Sequence, residues 1–251
     1  MSSFLFPGEG QRVLKILPLG ESTTEGTGDF PGGYRGVLRE KLVAAGIPVD
    51  FVGSRTENSK GLADPEHEGH PGYRIDWLRT GKSVEGLSSS DPVDVILERF
   101  KPDVILLLMG TNNLYVDPAA SAADEMKALL EGIFRTMPMV TVVLGGVTPI
   151  LPGPKPWNCT VPEDVTPRVR DYNNRLATLA RSFRSENRVV VYVDHSSCVT
   201  GPSDLMADGV HPLAVAMQRM AAAWFGALAG ILRPAVSRMD VAGGMSASQG
   251  E

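Results

Sequence analysis

The sequence has little cysteine, no cluster of basic residues and no long apolar segment. Its two cysteines, Cys159 and Cys198, can form neither a disulfide framework nor a metal knuckle. We expect both to be free thiols, with a single bridge as the alternative. The net charge is −5 and Lys and Arg are dispersed, so neither a nucleic acid nor a membrane is an expected partner. No apolar run approaches the roughly 18 residues of a membrane span.

The first residues, MSSFLFPGEGQRVLK, also lack the basic segment and long apolar stretch of a secretory signal. This favours a cytoplasmic location, and a secreted protein whose signal has been removed is the alternative. Hydrophobic residues make up 43% of the 251 positions and charged residues 21%, which is ordinary for a globular protein. The length fits one large domain or two small ones.

Apolar, β-branched segments alternate with helical patterns along the chain. Strands are predicted at 13–20, 49–54, 103–110, 140–149 and 188–195. This alternation is typical of a single α/β domain with a parallel sheet, which we place at 13–233. An N-terminal extension, 1–12, precedes the domain, and the small, polar residues of 234–251 predict a disordered tail.

Two long irregular connections interrupt the predicted domain. Residues 55–72 are polar and rich in turn formers, and residues 148–168 contain six prolines, which excludes a helix there. Connections of this length inside a compact domain are usually functional. We therefore expect both segments to border a binding site.

Reactive side chains follow three of the predicted strands. Ser22 comes after the first, Asn112 after the third, and Asp208 and His211 come after the fifth. In open parallel sheets the ligands bind at the carboxyl ends of the strands. A serine becomes a nucleophile when an imidazole takes its proton and a carboxylate orients that imidazole. An amide can hold the oxyanion that then develops.

The same segments resemble the sequence blocks of the GDSL/SGNH hydrolases. The resemblance covers about 13–231 and departs from the usual pattern at Glu21 and Asn113, which each replace an aspartate. Gly72 best supplies the glycine block. The segments DFVGS and HEGHPGYRID further resemble carbohydrate esterase family three, the acetylxylan-esterase-like branch. The four blocks are GESTTEG (20–26), HEGHPGYRID (67–76), GTNN (110–113) and DGVH (208–211).

This resemblance implies a three-layer α/β/α sandwich with a five-stranded parallel sheet, the flavodoxin-like SGNH hydrolase fold. It implies Ser22 as nucleophile, His211 as general base and Asp208 as the residue that orients the base. The oxyanion hole would consist of the N–H groups of Ser22 and Gly72 and the side chain of Asn112. The implied reaction is hydrolysis of a small carboxylic ester, with an acetyl ester of a sugar or sugar-like alcohol favoured, and it requires no cofactor.

Several residues have competing interpretations. His195 also follows a strand and adjoins Asp194, so it is the alternative base. His67 and His70 flank Glu68 with a metal-like spacing, but no third ligand is evident and no metal is expected. The triplet Gly-Tyr-Arg occurs at 33–35 and 72–74 without a wider repeat, which we interpret as coincidence.

Three residues are candidates for contacting the substrate: Glu21, Tyr73 and Trp157. Trp157 lies in the proline-rich segment and could stack on a sugar ring, cover an acyl chain or only pack on the domain. The alternative functions are an intracellular esterase or lipase acting on a lipid or secondary-metabolite ester, and a non-catalytic flavodoxin-like binding module. No glycine-rich phosphate loop supports the last of these.

Overall fold

A computed structural model of the chain describes residues 12–83 and 89–243. The predicted N-terminal extension, 1–12, lies outside the described residues apart from its last position. The strands are β1 (Leu14–Gly20), β2 (Val49–Phe51), β3 (Glu68–Gly69), β4 (Val104–Leu108), β5 (Thr141–Gly145), β6 (Gly153–Pro154), β7 (Thr160–Val161) and β8 (Val190–Val193). The helices are α1 (Ser22–Glu25), α2 (Tyr34–Ala44), α3 (Ile75–Thr80), α4 (Val93–Phe100), α5 (Thr111–Leu114), α6 (Ala119–Thr136), α7 (Val165–Ser185) and α8 (Ala214–Gly243).

The central sheet contains the five predicted strands, all parallel, in the order β2-β1-β4-β5-β8. This order confirms the predicted flavodoxin-like arrangement. The register sets Gly20 opposite Leu108, Leu108 opposite Gly145, and Gly145 opposite Val193. The carboxyl ends of β1, β4, β5 and β8 are therefore level, and the segments that follow them meet at one edge. The two-residue strand β3 extends this edge by pairing with the end of β1.

Helices cover both faces of the sheet and form the three predicted layers. Leu17 and Leu19 of β1 pack into the cluster beneath α3, α4, α6 and α7, whereas Ile16 points into the cluster beneath α2 and α8. Successive side chains of a strand point to opposite faces, so a strand covered on both sides must be apolar throughout. On the second face the Trp224 ring lies 5.8 Å from the ring of Tyr34. Burial on both faces of the sheet therefore explains why the segments predicted as strands are apolar.

The proline-rich segment is more regular than its sequence suggests. Its strands β6 and β7 form a short antiparallel hairpin, and α7 begins at Val165, inside the predicted loop. The final helix, α8, continues to Gly243, so the predicted disordered tail, 234–251, begins inside a helix. Its last part, 244–251, lies outside the described residues.

The long helix α8 also corrects the statement that no apolar segment is of membrane-spanning length. Its part Ala214–Leu232 meets that criterion by length and composition. Within it, Met217, Met220, Trp224 and Leu228 are buried in the core cluster that also contains α2. The buried share of this stretch is 39%, and a core helix of a globular domain satisfies the same criterion of length and composition.

Candidate active site

Ser22 is delivered to the edge of the sheet by a sharp connection from β1 to α1. A Cβ atom at Gly20 would lie 2.4 Å from the Leu108 carbonyl oxygen and 2.3 Å from Thr24 Oγ1. Only glycine therefore lets the chain turn against β4 at this point. Ser22 is the first residue of α1 and its side chain is almost fully buried.

Ser22, His211 and Asp208 form a continuous hydrogen-bonded chain. The Ser22 Oγ lies 2.9 Å from His211 Nε2, and His211 Nδ1 lies 2.7 Å from Asp208 Oδ2. The other carboxylate oxygen, Asp208 Oδ1, accepts from the backbone N–H groups of Val210 and His211 at 2.8 and 3.0 Å. The three-residue spacing therefore brings the Asp208 carboxylate back onto the imidazole. The ring is held at Nδ1 by Asp208 and at Nε2 by Ser22. This is the geometry in which an imidazole can take a serine proton.

The charge on Asp208 is stabilised by these contacts. Partial burial acts to raise its pKa, but hydrogen bonds from the His211 ring and from the N–H groups of His211 and Val210 outweigh burial and lower the pKa below its ordinary value. A charged carboxylate favours the Nδ1–H tautomer of the imidazole. In that tautomer Nε2 carries a lone pair directed at Ser22.

The Asn112 side chain is held by Glu21, the residue before Ser22, and by the loop after β3. Asn112 Nδ2 donates to Glu21 Oε2 and to the Tyr73 carbonyl oxygen, both at 2.9 Å. Glu21 Oε1 accepts from the Thr111 N–H at 3.0 Å. Gly72 precedes Tyr73 and has a φ of 77°, a conformation that favours glycine. The three predicted contributors to an oxyanion hole thus belong to segments that are linked to one another.

The residue after Asn112 anchors the same loop. Asn113 is buried, and its Oδ1 accepts from the Ile75 N–H at 3.0 Å. An asparagine at this position therefore binds the loop backbone as an acceptor.

Two predicted substrate contacts must be corrected. Glu21 is 0% exposed, and both of its carboxylate oxygens are occupied by Thr111 and Asn112. The Tyr73 ring is also fully buried, packs between His70 and Trp77, and its hydroxyl donates to the Lys82 carbonyl. Both side chains position the site from within the protein and cannot touch a substrate.

Trp157, in contrast, lies at the surface beside the proposed base. Its indole is 43% exposed, and its ring centroid is 5.8 Å from that of His211 in an edge-on arrangement. The ring is therefore available to a molecule bound at Ser22. Of the three predicted substrate contacts, Trp157 alone remains a candidate.

The remaining histidines have partners or surroundings that explain them. His195 is buried, with Trp224 stacked edge-on at 4.5 Å, and burial lowers its pKa to about 3. A group of this pKa is poorly suited to act as a base near neutral pH. His67 Nε2 bonds the Glu57 carbonyl, and His70 Nε2 bonds Glu68 Oε2 at 2.9 Å.

Cys159 and Cys198 are both free, as expected. In the described ranges, 12–83 and 89–243, no group of three or more His, Cys, Asp or Glu side chains is arranged to hold a metal ion.

Sequence reasoning missed two buried cations that support the site. Arg35 is 0% exposed and donates to the carbonyl oxygens of Thr24 and Glu25, at the end of the helix that begins with Ser22. Its position on the apolar face of α2, three residues before Leu38, is a signal that could have identified it. Lys155 is similarly buried, but its proline-rich surroundings give no comparable signal.

Known proteins match the chain over most of its length. The sequence profile of the GDSL-like lipase/acylhydrolase family matches residues 19–219. A multidomain esterase from Ruminococcus flavefaciens is 30% identical over 232 residues, which cover 88% of this chain and 29% of that esterase. The chain thus corresponds to less than a third of that relative's length.

Solved structures show the same fold. The family 3 carbohydrate esterase of Clostridium thermocellum is 26% identical, with a TM-score of 0.71 over 89% of this chain and 98% of that one. A family 3 carbohydrate esterase from Talaromyces cellulolyticus is 22% identical, with a TM-score of 0.69 over 88% and 99% of the two chains. The second likeness supports the fold alone.

The fold and the site geometry are those of an α/β protein with a hydrogen-bonded serine, histidine and aspartate at the edge of its parallel sheet. Because the matching profile spans well over half of its residues, the chain belongs to the GDSL-like lipase/acylhydrolase family.

Proposed function

We propose that this chain hydrolyses small carboxylic esters, with acetyl esters of a sugar or sugar-like alcohol as its substrate class, through an acyl-Ser22 intermediate. The observation that carries the proposal is the hydrogen-bonded chain from Ser22 Oγ through His211 to Asp208. The likeness to a family 3 carbohydrate esterase that is 26% identical supports the choice of substrate class.

In the proposed acylation step Ser22 Oγ attacks the ester carbonyl carbon while His211 Nε2 takes the hydroxyl proton. The resulting imidazolium is stabilised by the Asp208 carboxylate, whose lowered pKa keeps it charged. The tetrahedral intermediate then collapses. The bond to the alcohol oxygen breaks, and His211 donates its proton to that oxygen, which leaves an acyl-serine and a free alcohol.

Deacylation repeats these steps with water in place of serine. His211 takes a proton from the attacking water and returns it to Ser22 Oγ as the acyl–oxygen bond breaks, and a carboxylic acid is released. The N–H groups of Ser22 and Gly72 and the Asn112 amide are the proposed donors to both oxyanions. The Asn112 N–H that bonds the Tyr73 carbonyl becomes a donor to the oxyanion when the substrate oxygen competes for it.

The decisive experiment is Ser22→Ala assayed on p-nitrophenyl acetate and on an acetylated xyloside. Loss of a nucleophile of this kind lowers kcat by about 10⁴-fold or more, and an unchanged circular dichroism spectrum and melting temperature would show that the fold is intact. Ser182→Ala, which changes an exposed serine on α7, is the matched control and should retain full activity.

Covalent labelling gives an independent test of the same step. A serine-directed phosphonate should inactivate the wild-type protein and add its mass to the peptide that contains Ser22. Ordinary turnover by folded Ser22→Ala protein, or a label on another residue with loss of activity, would overturn the proposal.

A further inference from the structure

A buried lysine ties the proline-rich hairpin to the loop that carries Asp208 and His211. Lys155 is only 7% exposed, and its Nζ donates to the carbonyl oxygens of Leu151 and Asp208, each at 2.8 Å. Lysine is rarely buried to this degree unless it is paired, because its charge is costly to remove from water. Hydrogen bonds from a charged donor are the strong kind, and here they offset that cost.

The hairpin formed by β6 and β7 depends on such attachment. Each strand has two residues, and a hairpin of that size has no independent stability. The Leu151 N–H donates to the Gly209 carbonyl at 2.8 Å, one residue beyond Asp208. The Lys155 N–H closes the turn onto the Cys159 carbonyl, also at 2.8 Å. Lys155 therefore joins the turn of the hairpin to the loop of the proposed base.

Trp157 is the residue that this turn presents. It lies between Lys155 and Cys159, with its ring against that of His211. In the proposed reaction His211 gives its proton to the leaving alcohol oxygen, so that oxygen must come within hydrogen-bond distance of His211 Nε2. Because the Trp157 ring packs on this imidazole, it lies near the position that the alcohol oxygen must approach.

We propose that Lys155 is a positioning residue that holds Trp157 against His211, and that Trp157 in this position selects the alcohol part of the ester by packing on a sugar-like ring. This inference rests on the proposed function. It predicts that discrimination among alcohols depends on the contacts from Lys155 to the backbone, and that discrimination among acyl chains does not.

The test compares Lys155→Met, Trp157→Ala and the double variant on two substrate series. In one series every substrate is an acetyl ester and the alcohol part varies: an acetylated xyloside, ethyl acetate and p-nitrophenyl acetate. The other keeps p-nitrophenol and varies the acyl chain: acetyl, butyryl and octanoyl. Lys127→Met, an exposed lysine on α6, is the matched control for loss of a lysine charge.

Each single variant should lower kcat/KM for the acetylated xyloside by about 10-fold relative to ethyl acetate, the effect of losing one apolar contact in the transition state. Ratios within the acyl series should stay constant. Lys155→Met should have little further effect in the Trp157→Ala background. If Lys155 acts only through Trp157, the two substitutions are not additive in a double-mutant cycle. Lys155→Arg, which keeps a donor, should restore part of the preference.

Equal loss on all alcohols, or a Lys155→Met effect that is undiminished when Trp157 is absent, would overturn the inference. If Lys155→Met does not fold, Lys155→Gln takes its place, and an unchanged preference among alcohols in either Trp157→Ala or Lys155→Gln would refute the inference. These results differ from a failure of the proposed function, in which hydrolysis by the wild-type protein would be absent or independent of Ser22.

Discussion

Glu21 is an enclosed carboxyl group, and its titration should be visible in the stability of the protein. Burial disfavours the charged form and raises the pKa of Glu21 to about 7 from its ordinary value of 4.5. The hydrogen bonds from Thr111 and Asn112 oppose this shift only in part. Between these two pH values the folded protein holds a proton that the unfolded chain has lost.

The sign of the effect follows from this difference in proton binding. Because the folded state binds more protons, the free energy of unfolding falls as the pH rises. The stabilising contribution of Glu21 to the free energy of unfolding is fully present below pH 4.5 and is lost as the pH rises through about 7. At about 1.4 kcal/mol per pKa unit, the difference corresponds to about 3 kcal/mol.

Glu21→Gln removes this titration and preserves the shape of the side chain. Urea unfolding of both proteins from about pH 4 to about pH 8 should show the stability of wild type, relative to the variant, declining by about 3 kcal/mol. The amide N–H of the variant would face Asn112 and could lower its free energy of unfolding by a constant amount. Such a constant difference does not alter how the stability of wild type relative to the variant changes with pH. Glu131→Gln, which changes an exposed glutamate on α6, is the matched control for the loss of a carboxyl group. Parallel curves for wild type and Glu21→Gln would refute the reasoning.

Three further outcomes are expected. Asn112→Ala should lower kcat by about 10²–10³ with little change in KM, because it removes one proposed oxyanion donor, and a pure KM effect would make Asn112 a substrate-binding residue. His211→Ala should be as damaging as loss of the nucleophile, whereas His195→Ala should lower the melting temperature and spare kcat; the reverse result would make His195 the base. Prolonged dialysis against EDTA should leave activity intact, and a loss that zinc or calcium restores would indicate a metal role for His67 and His70.

The sheet could be predicted from sequence because its signals are local. A strand buried on both faces must be continuously apolar, and β4 and β5 are buried at every position. Likewise the apolar stripe of α6, from Met126 to Phe134, lies in the core. Helix α1 has four residues, too few for any periodicity, so no local pattern predicts that a helix begins at Ser22.

The hairpin and the buried cations could not be predicted, because long-range contacts create them. The turn between β6 and β7 contains Lys155, whose acceptors are the carbonyls of Leu151 and of a residue 53 positions away. The guanidinium of Arg35 bonds backbone atoms of α1 and of the loop that contains Pro65. Sequence patterns report on burial along one element, and they do not reveal which distant carbonyl a buried cation will meet.

The two departures from the family pattern are explained by the surroundings of each side chain. Glu21, like an aspartate, supplies a carboxylate, and its extra methylene is accommodated because its oxygens reach Thr111 and Asn112 at 3.0 and 2.9 Å. Its role is therefore to connect the segment after β1 with the segment after β4.

Asn113 retains the acceptor that an aspartate would provide, since its Oδ1 binds the Ile75 N–H. It also does what an aspartate could not do. Its Nδ2 donates to Glu125 Oε2 at 2.6 Å and approaches Asp117 Oδ2 at 3.4 Å. An aspartate here would place a third carboxylate beside Asp117 and Glu125, and like charges at this distance disfavour one another. Asparagine at this position is therefore matched to the acidic side chains beside it, and it preserves the connection between the second and third sequence blocks on which the proposed oxyanion hole depends.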